Sequence, residues 1–200
     1  MGLSIGKELR PAYGFDEVAI VPGSVTVNPE LTDIHLSIRE FNFDLPIVAA
    51  ALDAVVDPGF AGAVGRRGGL AVMNLEGIQT RYDDPDSAIA EIVSAPTADA
   101  AVSIQRIYAS PIKDELVGRR VQAIKAAGAI CAVSCTPANT KRLAPIAVDA
   151  GADILVVQST VTTARHISRS VRGLIFEELC ENIRVPVLVG NTVTYGATKE

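Results

Sequence analysis

The stretch AGAICAVSCTPANTKRLAPIAVDAGADILVV, residues 127–157, holds one full period of the pattern on which the chain is built. Ile130 to Val133 is an apolar run of strand length, Thr136-Pro137 breaks it, and residues 139–150 have helical spacing. Gly151 stops that helix, and Ile154 to Val157 is apolar again. The junction Ala127-Gly128-Ala129-Ile130 returns almost unchanged as Ala150-Gly151-Ala152-Asp153, each time with a glycine where a helix ends just ahead of a strand. A strand–helix–strand unit with repeating ends is the signature of a wound βα fold with a parallel sheet.

Toward the N-terminus the alternation begins at Pro46 to Leu52, followed by a helix near residues 58–67 that stops at Gly68-Gly69. Leu70 to Met73 is the next strand, ending at Asn74. Asp83-Asp84 reads as a turn and cap, and a helix over residues 86–93 leads into a segment where Ala101 to Ile104 is read as a short extra strand. The following helix takes Ser110 as its cap and Pro111 as its first residue, with Asp114 and Glu115 in its positive first turn. Its apolar stripe is Ile112, Leu116, Val121 and Ile124, and Gly128 closes it. Toward the C-terminus come a polar loop from Gln158 to Ser170, a helix over residues 174–182, a strand from Val185 to Val189, and the start of a helix at residues 194–200. Residues 1–44 form a lead-in segment, and residues 45–200 make about five βα units, against eight strands and about 250 residues in a closed barrel. The predicted fold is therefore α/β: a TIM (β/α)₈ barrel truncated after about five units, with open strand edges that favour association.

Composition agrees. With 48% hydrophobic residues, 20% charged and 4% aromatic, the 200-residue chain can bury a core, and its wealth of Ala, Val and Ile suits strands covered on both faces. A net charge of -5 without a Lys/Arg block argues against nucleic acid as a partner. No apolar run of about 18 residues exists to span a membrane, and no export signal or lipid anchor opens the chain, so a soluble cytoplasmic protein is expected. The three cysteines fit a reducing compartment without disulfides.

Four segments resemble one family. Residues 14–23, GFDEVAIVPG, are similar to the T-F-D-D-V-L-L-V-P segment of IMP dehydrogenases, and residues 46–53, PIVAAALD, to their first strand, P-x-x-S-x-x-M-D. Residues 189–194, VGNTVT, resemble the G-G-N-V-x-T turn after the fifth strand, and residues 74–82, NLEGIQTRY, a signature of the short bacterial branch without a CBS insert. Order and spacing agree as well. The chain thus resembles the first part of the IMP dehydrogenase and GMP reductase family. That resemblance implies a purine nucleotide bound across the strand tops and a cysteine, on a G-x-G-x-x-C-x-T loop after strand six, that attacks C2 of the ring. It further implies hydride transfer to NAD⁺, a monovalent cation at the cysteine loop, and a homotetramer of the full-length protein.

The cysteine loop does not occur in these 200 residues, so no catalytic residue is assigned and the chain by itself is expected to be inactive. Cys131 and Cys135 share one face of a strand and Cys180 shares a helix stripe with Phe176, so all three are expected to be small buried hydrophobes, not thiolates or metal ligands. Barrel chemistry sits at the C-terminal ends of the strands, here Ala50 to Asp53, Asn74, Thr136-Pro137, Gln158 to Thr160 and Gly190 to Thr192. Asn191, with Gly190, is assigned to the nucleotide through its amide donors and acceptor, the alternative being a turn Asn. Asp53 is assigned to ribose hydroxyls, the alternative being a helix cap. Ala50 and Leu52 stand where the family's strand has Ser and Met against the nucleotide. Gln158, with Ser159 and Thr160, stands where full-length dehydrogenases place an Asp on the nicotinamide ribose. His166, in the loop after the fourth strand, is read as solvated or as facing substrate, and His35 precedes the barrel. The leading expectation is an NAD-dependent IMP dehydrogenase. GMP reductase with NADPH is the runner-up, and a non-catalytic assembly partner of an active dehydrogenase the third reading.

Overall fold

The computed structural model describes residues 11, 13–163 and 173–199, and the chain divides after Asp33 into two units. The first contains two single turns, Phe15–Glu17, where the Gly14 N–H donates to Glu17 Oε2 at 2.8 Å, and Pro29–Leu31. The second opens with an antiparallel hairpin, β1 (Leu36–Ile38) and β2 (Phe41–Phe43), whose turn places Arg39 at φ 51°. Nothing in the sequence reading anticipated these strands, because three-residue strands are too short to show alternation.

Five parallel strands follow: β3 (Val48–Ala49), β4 (Leu70–Asn74), β5 (Ala132–Cys135), β6 (Ile154–Gln158) and β7 (Val187–Gly190). Each pairs with its neighbour in sequence, in the order β3-β4-β5-β6-β7, so the strands curl as consecutive staves of a truncated (β/α)₈ barrel, as predicted. The register matches Asn74 to Ser134, Cys135 to Val157 and Gln158 to Gly190, which brings the C-terminal ends of four strands to one rim.

Alternation along the strands fills both faces. Ala71, Met73, Val133 and Leu155 point to the helices and meet Val117, Val121, Ile124 and Leu143, whereas Leu70, Val72, Ala132 and Ile154 point inward and are covered by Phe43 of the hairpin. Each fully buried Leu or Ile side chain contributes about 1.5–3 kcal/mol of transfer free energy, which is why these positions dictate the strand phase.

The helices are α1 (Pro58–Gly65), α2 (Pro85–Ser94), α3 (Ala100–Tyr108), α4 (Asp114–Ala126), α5 (Pro137–Asp149), α6 (Phe176–Asn182) and α7 (Tyr195–Lys199). Asp57 caps α1, accepting from the Phe60 N–H at 2.6 Å, and Asp84 caps α2 through the Ser87 N–H. Three expectations are corrected. Ala101 to Ile104 is helical, within α3: β4 is already paired on both sides, so a strand there would have no partner, and a helix buries Ile107 while Val102 stays 65% exposed. Ser110 does not cap α4; its N–H closes the end of α3 on Ile107, its hydroxyl meets that of Tyr82, and α4 starts at Asp114. Cys180 is exposed, since Leu179 takes the buried phase of α6. The cysteines are free thiols.

Candidate active site at the strand tops

The loops after β6 and β7 are zipped together by backbone bonds. The Ser159 N–H donates to the Gly190 carbonyl at 2.9 Å, the Asn191 N–H returns to the Ser159 carbonyl at 2.9 Å, and the Thr162 N–H reaches the Asn191 carbonyl at 2.8 Å. The Thr162 hydroxyl adds a 2.8 Å bond to the same Gly190 carbonyl. Asn191, its backbone engaged in this way, lines a cavity of about 390 Å³ together with Gln158, Ser159 and Thr160. Ser134, Cys135 and Thr136 from the top of β5, Asn74 from β4 and Ala51 from the end of β3 complete the wall. Among the described lining residues none carries an ionised side chain, so the cavity offers neutral amides and hydroxyls that can donate and accept.

Asn74 is held in one orientation. Its Nδ2 donates to Asp53 Oδ1 at 3.1 Å and its Oδ1 accepts from the Glu76 N–H at 2.9 Å. Asp53 also accepts from the Ile78 N–H at 3.2 Å and from the Tyr108 hydroxyl. Glu76 reaches the next unit: its carboxylate accepts from the Thr136 N–H at 2.5 Å and from Asn139 Nδ2 at 2.7 Å, an anion at the positive N-terminus of α5. Asp53 therefore stands beside Asn74 at the rim, and the cap it was weighed as is Asp57.

Gln158, Ser159, Thr160 and Asn191 are thus brought together, with Gly190 supplying the carbonyl that ties their loops. Ala50 and Leu52 do not line this cavity; Leu52 is 58% exposed and Ala51 takes the lining position. Ser134, Glu76, Arg81 and Tyr108 were missed. Ser134 offered a faint signal, as a hydroxyl inside an apolar strand; the others depend on contacts across 25 or more residues that no local pattern carries. His166 lies outside the described residues.

Neither buried thiol is a nucleophile. Burial pushes Cys131 up to about 12, with the Asp153 carboxylate adding to the effect. Burial pushes Cys135 up to about 11, opposed by the Thr140 hydroxyl and reinforced by Glu76. Asp83 is a surface anion held below the usual carboxylate range by its bonds to Lys113 and Arg119. Among the described residues no group of three His, Cys, Asp or Glu gathers to hold a metal, and no helix is long and apolar enough to cross a membrane.

Consecutive parallel staves with a hydrogen-bonding rim at their C-terminal ends define the class, a (β/α)-barrel domain with its site at the strand tops. Within that class the chain belongs to the IMP dehydrogenase / GMP reductase domain family, whose match runs over residues 12–200. Uncharacterized oxidoreductases of Mycobacterium tuberculosis and Mycobacterium bovis are 32% identical over 198 residues, covering 96% of this chain and 53% of theirs. An inosine-5'-monophosphate dehydrogenase of Methanocaldococcus jannaschii is 30% identical over 118 residues, 59% of this chain and 22% of its own. The crystal structure of an IMP dehydrogenase/GMP reductase-like protein from Corynebacterium glutamicum superposes with a TM-score of 0.88 at 33% identity, over 97% of this chain and 52% of that one. The chain spans about half the length of these mycobacterial and corynebacterial relatives.

Proposed function

We propose that these residues form one side of the nucleotide site of an oxidoreductase that converts IMP to XMP with NAD⁺ in guanine nucleotide synthesis. The observation that carries this reading is the cavity at the strand tops, bounded by Asn74, Ser134, Gln158, Ser159, Thr160 and Asn191 and free of ionised groups among its described lining. Neutral amides and hydroxyls match ribose hydroxyls, a purine edge and a carboxamide, all of which both donate and accept. In this reading Asn191 and Asn74 hold the nucleotide, Asp53 orients the ribose side from behind Asn74, and Gln158, Ser159 and Thr160 face the nicotinamide ribose. The same donor set fits NAD, which when bound would accept the hydride. The zipped loops after β6 and β7 keep the two sets of side chains at fixed separation, the positioning that brings two substrates together. Cys131 and Cys135 have raised thiols that favour the protonated form at neutral pH, and Cys180 does not line the cavity, so none of the three is placed to supply the thiolate that the family resemblance implies.

The test uses the complete protein that contains this chain. Incubation with IMP and NAD⁺ is expected to raise the reduced-cofactor absorbance, and Asn191→Ala to lower kcat/KM by about 10- to 100-fold, the loss of one or two buried hydrogen bonds. GMP reduction with NADPH is the second reading, favoured by the family's joint description. Turnover of GMP with NADPH and none of IMP would establish it instead, and turnover of neither pair would sink both.

A further inference from the structure

Between β4 and β5 the chain builds three α-helices where a βα repeat needs one. α4 is the repeat's own helix, packed against α1 and α5, its neighbours around the sheet. α2 and α3 are additional: they pack on each other, and α2 packs on the turn Ile78–Thr80, around a small core of Ile78, Ala88 and Ile107. The last residue of α3 brings one polar group to the rim. Tyr108 donates its hydroxyl to Asp53 Oδ2, across 55 residues of sequence. The Arg81 guanidinium lies 5.6 Å from the centre of the Tyr108 ring and is itself fixed by the carbonyls of Glu76, at 3.0 Å, and Ser110.

The consequence reaches the cavity through Asn74. A side-chain amide has two orientations of nearly equal shape, and the bonds around it decide between them. Asp53 can only accept, so it draws the Asn74 NH₂ toward itself, leaving one N–H and one carbonyl lone pair of that amide for the cavity. Asp53 Oδ2 holds two donors, the Ile78 N–H and the Tyr108 hydroxyl; losing the second leaves the carboxylate freer to turn. Burial and the Asp53 carboxylate hold the Tyr108 phenol above its ordinary range, so it stays a donor at neutral pH.

We propose that Tyr108 is a positioning residue: acting through Asp53, it sets the orientation in which Asn74 meets a ligand at the strand tops. That ligand is a purine nucleotide only if the function proposed above holds; the relay itself does not depend on it. Tyr108→Phe keeps the ring and its Arg81 contact and removes only the hydroxyl. In the 200-residue chain, the Asn74 side-chain amide signals, assigned by their loss in Asn74→Ala, are expected to move in Tyr108→Phe and Asp53→Asn alike. In the complete protein, Tyr108→Phe is expected to weaken IMP binding about tenfold. It should weaken binding no further when added to Asp53→Asn, because the relay is then already cut. Asn74 signals unmoved by Tyr108→Phe, or losses from the two variants that simply add, would overturn the relay. A wild-type protein that binds neither IMP nor GMP would overturn the nucleotide reading, while the Asn74 signals still decide the relay. If Tyr108→Phe fails to fold, 3-fluorotyrosine placed at position 108, whose phenol is a stronger donor, is expected to move the same Asn74 signals, and signals unmoved by it would overturn the relay.

Discussion

Gly77 has no side chain because Asp53 occupies the space one would fill: a Cβ there would lie 1.8 Å from Asp53 Oδ1. Its φ of -91° is open to any residue, so the constraint is contact and not backbone conformation. Gly77→Ala must push Asp53 off Asn74, Ile78 and Tyr108, and is expected to destabilise the chain by about 1–3 kcal/mol by denaturant titration. In an Asp53→Ala background the same change should cost little, since the clash is gone. The thiols give a second check. A thiol reagent at pH 8 should modify one cysteine quickly, Cys180, and the other two only after unfolding, because Cys131 and Cys135 are buried and their thiols raised to about 12 and about 11. The sign for stability follows from linkage. Both folded values lie above the unfolded thiol, so the unfolded state loses its protons first as pH rises. Their contribution is complete below about pH 9 and fades between there and pH 11–12, which pH-dependent denaturation would read.

At the scale of elements, glycines in α1 and α4 that look alike in the sequence have opposite roles. A Cβ on Gly65 would come within 2.8 Å of Ala129 Cβ and 3.3 Å of its Cα, and one on Gly62 within 2.8 Å of Ala127 Cβ, so α1 lies against the end of α4 and the turn that leads to β5 with no room between. Gly118, inside α4, would meet only Ala150 Cβ at 3.8 Å, an ordinary contact. Gly65→Ala is therefore expected to destabilise by about 1–3 kcal/mol and Gly118→Ala to stabilise by about 0.5–1 kcal/mol, through helix propensity, in thermal melts of the two variants. Element type was legible wherever a period ran long enough. Of the predicted stripe, Leu116, Val121 and Ile124 are fully buried in α4, whereas Ile112 lies ahead of the helix and is only partly buried against the core; Gly128 and Gly151 stop their helices at φ 75° and 105° as the repeated junctions implied. What failed was short or ambiguous: Ala101 to Ile104 is a four-residue, mostly apolar run that suits a strand or a helix turn but had no sheet edge to join, and Ser110 followed by Pro111 imitates a helix start where the chain was ending α3.

For the molecule as a whole, among the described residues the sheet has two open edges, β3 and β7, with Ile47 and Val48 exposed beside one and Val189 on the other. Such edges template further pairing, so the 200-residue chain by itself is expected to self-associate with rising concentration in sedimentation velocity. A strictly monomeric profile at all concentrations would count against that. The sequence by itself determined the parallel βα winding, the truncated barrel and the rim positions 158–160 and 191, because period, glycine stops and strand ends are local properties that tertiary packing reinforces. Only the tertiary structure decided that Asp53 answers to Tyr108 and Asn74, that Glu76 closes the start of α5, and that Ala51 replaces Ala50 and Leu52 at the cavity wall. Those outcomes turn on hydrogen bonds between groups 21 to 60 residues apart and on which side of a two-residue strand faces inward. Neither leaves a trace in local periodicity, since each is settled by the partner that folding brings alongside.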